Sequence, residues 1–276
     1  MSDEIVKVID PQRSGSVRNM LSDIWSHREL LYFLVWKGIK IRYKQTAVGA
    51  AWAVLQPLIA MAIFWFIFGI VLNVDTGDVP YPIFAYSGLV LWTYFSSSLN
   101  QSSNSIVANS GLLTKVYFPR ALLPLAACLT GLLDYSIATV MLLVLMIAFG
   151  IVPTLWFPLI FIPLFLTILL ASGLGMWLSS VSAKYRDVMF IVPFFVQLLL
   201  FVTPIIYPPS YLTGDLAWIN VVNPLAPLIN AQRAFVLGTG IVDWVPLGIS
   251  AAITILVFLG GLLYFSRFER NLADVI

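Results

Sequence analysis

Long apolar stretches alternate with polar gaps along this 276-residue chain. Six of them reach the roughly 20 residues that cross a bilayer core as a helix. They cover about 49–72, 83–106, 121–149, 157–181, 188–207 and 245–265. The pattern predicts an all-α integral membrane protein with six transmembrane helices. Gaps 73–82 and 150–156 are short, but the gap 208–244 resembles no ordinary connector. It holds Pro208-Pro209, Asn223-Pro224, Pro227, Gly238 and Gly240, and between them apolar pieces over 216–222 and Leu225–Leu237. Each piece is too short to cross, so re-entrant outer half-helices are expected between spans five and six.

A helical pattern also precedes the first span. Over 25–44, Tyr32, Val35, Trp36, Ile39 and Tyr43 fall on one apolar face, beside a basic stripe of Lys37, Lys40 and Lys44. A basic amphipathic helix with Trp and Tyr suits a membrane interface. It serves as a plain anchor or also touches a cytoplasmic partner. The expected organisation is a cytoplasmic segment at 1–24, an interface helix at 25–48 and a six-span domain at 49–276.

Charge adds orientation. Of fifteen Lys and Arg residues, all but Arg233 lie before the first span, in alternate gaps (Lys115, Arg120, Lys184, Arg186) or in the tail (Arg267, Arg270). That is the positive-inside distribution, and it places both termini in the cytoplasm. Composition agrees: the chain is 60% hydrophobic and 10% charged, against roughly 25% charged in soluble domains. Membrane topology accounts for the basic N-terminus, so nucleic acid is not expected as a partner. Cys128 is alone and in an apolar helix, which excludes a disulfide framework. The first 28 residues lack an apolar signal core, so the first membrane helix is expected to act as its own insertion signal.

Several positions depart from plain lipid-facing character. The inner half of the second span carries Ser97, Asn100, Gln101 and Asn104 within a run of serines. Such groups must face protein, water or substrate: either they bond neighbouring helices or they line a path. In the gap 109–120, Leu112, Leu113, Val116 and Tyr117 form one face of a short helix that Pro119 ends. Asp134 is an intramembrane carboxylate with no basic partner apparent at its depth, so a hydrogen bond to hydroxyls is expected rather than a proton relay. Arg186 and Asp187 form a tight turn in which they pair or meet a partner. Arg233 either meets an anionic substrate or bonds backbone carbonyls at a half-helix end. Aromatics such as Phe64, Trp65, Phe68, Phe194 and Phe201 face lipid by default, but their rings also stack on sugars.

The missing chemistry narrows the function. No phosphate-binding Gly-rich loop is present, His27 is the sole histidine, and no cysteine–histidine cluster offers a metal site. No Ser/His/Asp set is plausible either. The chain reads as a pathway rather than an enzyme, with its energy supplied elsewhere.

Longer motifs carry a family resemblance over nearly the whole chain from residue 25. Arg28-Glu-Leu-Leu-Tyr-Phe-Leu-Val-Trp-Lys37, Ile41-Arg-Tyr-Lys-Gln-Thr46, Leu113-Thr-Lys-Val-Tyr-Phe-Pro-Arg120, Tyr185-Arg186-Asp187, Thr203-Pro-Ile-Ile-Tyr-Pro208 and Asn223-Pro224-Leu225 resemble the ABC-2 type polysaccharide export permeases. Within that class the pattern is most similar to exporters of O-antigen and other lipid-linked glycans. The resemblance implies a homodimer in the bacterial inner membrane, paired with two copies of an ATP-binding subunit that holds the ATP and Mg. It implies that 112–120 is the coupling helix, with Leu112, Leu113, Lys115, Tyr117, Phe118 and Arg120, and with Arg186 nearby. It makes 208–244 a periplasmic gate with Pro208, Asn223, Pro224 and Arg233. A glycan path between protomers would be lined by Phe64, Trp65, Phe68, Ser97, Asn100, Gln101, Asn104, Phe194 and Phe201. Trp36, Lys37, Lys40, Arg42, Tyr43 and Lys44 would meet the membrane and the pyrophosphate carrier. Rival substrates are capsule, teichoic acid or a lipophilic drug. Rival classes are a scaffold for envelope glycan assembly and a membrane glycosyltransferase, which lacks the clustered acidic site it needs.

Overall fold

Twelve α-helices form among the residues described by the computed structural model, namely 17–44, 51–116, 118–212, 214–216, 218–238 and 242–271. They are α1 (Val17–Ser26), α2 (Arg28–Lys44), α3 (Ala51–Phe64), α4 (Tyr81–Ala108), α5 (Ser110–Leu113), α6 (Leu122–Thr130), α7 (Leu132–Ala148), α8 (Phe161–Lys184), α9 (Val188–Val202), α10 (Ile219–Val222), α11 (Leu225–Leu237) and α12 (Trp244–Asn271). A π-helical stretch, Trp65–Val71, extends α3, and a 3-10 turn, Phe157–Ile160, leads into α8. No strand occurs among the described residues.

Among the described residues, four helical stretches are long and apolar enough to cross a membrane: Ala51–Val71, Leu122–Ala148, Phe157–Lys184 and Trp244–Glu269. Two expected spans differ, each for a physical reason. Helix α4 has 28 residues and so is about 42 Å long, but its tyrosines and serines lower its hydropathy. It tolerates them because its first two-thirds are almost wholly buried by the other helices and never meet lipid. Helix α9 has 15 residues and reaches only about 22 Å. The span expected to Tyr207 stops at Val202, because Pro204 pushes Thr203 into an extended conformation. The third span is two helices, broken at Gly131. The interface helix is likewise divided at His27, and its expected end at 45–48 lies outside the described residues.

Helix α4 is the axis. It packs on α3, α6, α7, α8, α9 and α11, while α2 packs on α6 beside its last turns. Two cores result. The larger joins Tyr86, Tyr94 and Phe95 of α4 to α7, α8, α9 and α11. The smaller closes the other end, where Met20, Leu34, Ile106, Phe118, Leu122, Met176 and Phe265 bring α1, α2 and the ends of α4, α8 and α12 together. Helices α8 and α12 touch backbone to backbone: a Cβ on Gly173 would sit 2.7 Å from Phe258 Cα, and one on Gly261 would strike the Gly173 carbonyl. Close small-residue contact is how helices associate where lipid removes the hydrophobic drive.

Candidate functional site

The polar half of α4 divides by helical register. Ser98 and Ser102 are one turn apart and donate to the carbonyls of Cys128 and Pro124, at 3.5 and 3.1 Å. They fasten α4 to α6. Ser97 and Gln101 are satisfied within α4 itself, Ser97 by the Tyr94 carbonyl and Gln101 by that of Ser97. Asn100 and Asn104, also one turn apart, point elsewhere. They line a cavity of about 730 Å³ roofed by α2 and walled by α6, together with Gln101, Lys37, Arg42, Ser105 and Ala127. The Asn100 and Asn104 amide oxygens and the Ser105 hydroxyl are buried and have no hydrogen-bond partner among the described residues.

Helix α2 is fixed over this cavity at two points. At Gly38 it approaches so closely that a Cβ would lie 2.7 Å from Thr130 Oγ1. At its end, the Arg42 guanidinium and the Tyr43 hydroxyl both donate to the Asp134 carboxylate. The expectation that Asp134 lacks a basic partner is therefore corrected: the partner comes from α2, not from another span. It is the one ion pair among the described residues, so Arg186 and Asp187 are not paired. Burial lowers the Arg42 guanidinium pKa from its ordinary value, and the same desolvation raises that of the Tyr43 phenol. Arg42 thus belongs to the structural framework. Lys37, Lys40 and Lys44 remain as a stripe along a second, smaller pocket of about 370 Å³ lined also by Phe33 and Trp36, with Lys40 Nζ 5.5 Å from the centre of the Trp36 ring.

The expected coupling segment is shorter than its pattern suggested. Only Ser110–Leu113 is helical, and the chain then turns through Thr114 and Lys115. Leu112 and Leu113 lean on the smaller core. Phe118 is 4% exposed within that core, so it anchors the segment and is not free to contact a partner. The Arg120 backbone N–H donates to Glu269 Oε1 at 2.8 Å, which ties the segment to the end of α12. Lys115, Val116 and, at the same end of the bundle, Arg186 are exposed. Tyr117 lies outside the described residues.

At the opposite end of α4, the expected gate residues converge on the turn after α9. Asn223 Nδ2 donates to Thr203 Oγ1 at 2.8 Å, and its Oδ1 accepts the Leu225 N–H and caps α11. The Pro224 carbonyl accepts the Ser250 hydroxyl at 2.6 Å. Arg233 is 4% exposed. It donates to the carbonyls of Phe84 (3.2 Å), Pro204 (2.9 Å) and Ile205, and its guanidinium carbon lies 3.8 Å from the centre of the Phe84 ring. Of the two expectations for Arg233, backbone bonding is the one observed. Pro208 opens the 3-10 turn that follows. Helix α11 is the expected apolar piece and is buried along nearly its whole length, whereas 216–222 supplies only the single turn α10.

The aromatic candidates separate. Phe64 and Phe68 stack edge to face at 6.2 Å and pack on the larger core. Trp65, Phe194 and Phe201 stand on the outer surface. A path lined by them needs a second surface. Sequence reasoning missed Gln232 and Tyr135, which together with Thr203, quoted there only as part of a motif, knit α4, α7, α9 and α11 through side-chain hydrogen bonds. The only sequence signal of Gln232 and Tyr135 was a polar group in an apolar run.

The bundle and its sites define an α-helical, multi-pass membrane protein with polar cavities among its helices. The ABC-2 type transporter family model matches residues 29–237, and the chain belongs to that family. Similar proteins include the O-antigen export system permease protein RfbA of Klebsiella pneumoniae, 28% identical over 252 residues, covering 90% of this chain and 95% of the relative. RfbA of Myxococcus xanthus is 28% identical over 261 residues, 93% of this chain and 99% of the relative. The polysialic acid transport protein KpsM of Escherichia coli is 26% identical over 244 residues, 86% of this chain and 93% of the relative. The chain is a transport component, not an enzyme.

Proposed function

We propose that this chain is the permease subunit of an ATP-driven exporter that moves lipid-linked polysaccharide, of the O-antigen kind, out of the cytoplasm across the inner membrane. The observation that carries it is end-to-end similarity to export permeases for O-antigen and polysialic acid. In this reading six segments cross, including the buried α4 and the short α9, and α11 is a re-entrant element on the periplasmic side. Both termini are cytoplasmic, as the basic residues favour. Two copies of the chain pair through their outer aromatic faces, among them Trp65, Phe194 and Phe201, and enclose the glycan path between them. Two ATP-binding subunits, which hold ATP and Mg, dock on the exposed Lys115, Val116 and Arg186. The stripe of Lys37, Lys40 and Lys44 attracts the carrier's phosphates.

Deletion of the gene, followed by tracking of lipid-linked glycan, tests the function. Finished polymer accumulating in the cytoplasm is the expected result. Loss of polymer synthesis would mean that the chain acts in assembly instead.

A further inference from the structure

The cavity under α2 and the lysine pocket beside it share a wall, because Lys37 and Ile41 line both. The two sides differ in chemistry. The lysine side offers three ammonium groups beside Phe33 and Trp36. The inner side, lined also by Arg42 and Gln101, offers the two asparagine amides and a hydroxyl whose buried oxygens have no partner among the described residues. Buried polar groups without partners are costly, at roughly 1–3 kcal/mol each. Three of them around one cavity mark a place where hydrogen-bonding atoms arrive from outside. Amides both donate and accept, which matches hydroxyl-rich rings and does not match an acyl chain. At about 730 Å³ the inner cavity falls within the size range of small-molecule sites. Ile41 is largely exposed, so the shared wall is a rim rather than a closed partition.

We propose that these adjoining pockets form one bipartite site for the cytoplasmic head of a lipid-linked glycan. The lysines hold the phosphates, and Asn100, Asn104 and Ser105 hold the first sugar. This inference rests on the glycan-export reading and deepens it. Every residue of the site belongs to one chain. It selects a sugar-bearing carrier over a bare one before the long polymer is committed to a path. A phospholipid with a polyol head shares the chemistry of phosphate and hydroxyls, so the experiment must separate the two sources.

The test uses the whole transporter, permease with its ATP-binding subunit, in nanodiscs. Three probes are compared: a short polyprenyl diphosphate bearing one hexosamine, the same diphosphate without sugar, and phosphatidylglycerol. Binding and stimulation of ATP hydrolysis are both read. The double substitution Asn100→Leu/Asn104→Leu removes the amides, and Ala127→Phe fills the cavity from the α6 wall while leaving every polar group in place. Each is expected to weaken binding of the sugar-bearing probe about tenfold, the scale of one or two lost hydrogen bonds, and to leave the bare diphosphate unaffected. Lys37→Ala is expected to weaken both diphosphates. Unchanged binding in both cavity variants, with the complex intact, overturns the site while export stands. Equal displacement of the sugar-bearing probe by phosphatidylglycerol also overturns it, because the cavity is then a bulk-lipid pocket. If the wild-type complex is neither bound nor stimulated by the sugar-bearing probe, the export reading itself fails.

Discussion

Arg42 donates to the carboxylate of Asp134 across 92 positions of sequence, and Tyr43 reaches the same carboxylate with its hydroxyl. The pair joins a helix that precedes all the long apolar stretches to the start of α7. The two side chains are 29% and 21% exposed, so water screens them only in part. Removing one partner leaves the other charge half-buried. Arg42→Ala or Asp134→Ala is expected to cost about 2 kcal/mol, the scale of a hydrogen bond to a charged group. Asp134→Asn should cost less, because it still accepts from Tyr43. The exchange Arg42→Asp/Asp134→Arg should recover part of what Arg42→Asp and Asp134→Arg each lose, and thermal unfolding of the wild type, these two single variants and the double in detergent measures the coupling. Additive losses in that cycle would show that the two residues act separately.

This contact also marks how far the sequence carried. Asp134 was visible as a carboxylate in an apolar run, but its partner was not, since only the fold brings α2 over α6 and α7. Asn100 and Asn104 were legible as a pair one turn apart, whereas the roof that makes a cavity of them was not. All six apolar runs fall on helices, but among the described residues only four of them are long and apolar enough to cross a membrane, the second being too polar and the fifth too short. Residues 203–207 continue the apolar run in sequence, yet they form a turn, because Pro204 removes a donor and the Arg233 guanidinium and Tyr81 hydroxyl bond the carbonyls that a helix would otherwise satisfy. A hydropathy profile counts side chains and does not register where backbone carbonyls find their donors.

The helix pair α8 and α12 gives a prediction with an internal control. A methyl group at Gly173 would lie 2.7 Å from Phe258 Cα, where only backbone can yield. Gly173→Ala and Gly261→Ala should therefore separate the helices and cost about 1–3 kcal/mol. Gly248, in the same α12, has nothing within 4 Å of its Cβ position. Gly248→Ala should be neutral or gain up to about 1 kcal/mol from helix propensity. Melting temperature in detergent and membrane yield together read the contrast. Equal behaviour of Gly248→Ala and Gly261→Ala would refute the close-packing account.

Arg233 holds three carbonyls from two separate segments, and a lysine cannot reproduce that fork. Arg233→Lys is expected to destabilise, and Arg233→Met to do so more, because the carbonyls of Pro204 and Ile205 lose their donors. Gly88→Ala offers a second route to the same lesion, since its Cβ would lie 2.5 Å from an Arg233 terminal nitrogen. Both should loosen the turn at 203–206, seen as faster cysteine labelling at a Tyr207→Cys reporter. Combining Gly88→Ala with Arg233→Met should add little to Arg233→Met alone, as the clash then has no partner. Full additivity would mean that Gly88 acts elsewhere.

The segment after α5 separates anchoring from docking in adjacent residues. Phe118 is buried in the smaller core, while Val116 is 53% exposed two positions earlier. Phe118→Ala should open a cavity and cost about 3 kcal/mol, lowering yield and stability together. Val116→Ser touches no core and should leave stability within about 0.5 kcal/mol. If the exposed side of this segment is where the ATP-binding subunit docks, Val116→Ser and Lys115→Glu should weaken capture of that subunit while the permease melts normally. Co-purification of the tagged permease with its ATP-binding subunit, set beside the melting curve of the permease alone, reads the two effects independently. Normal capture by both surface variants would move the docking face away from this segment, and the exposed turn that carries Arg186 at the same end of the bundle would be the next surface to substitute.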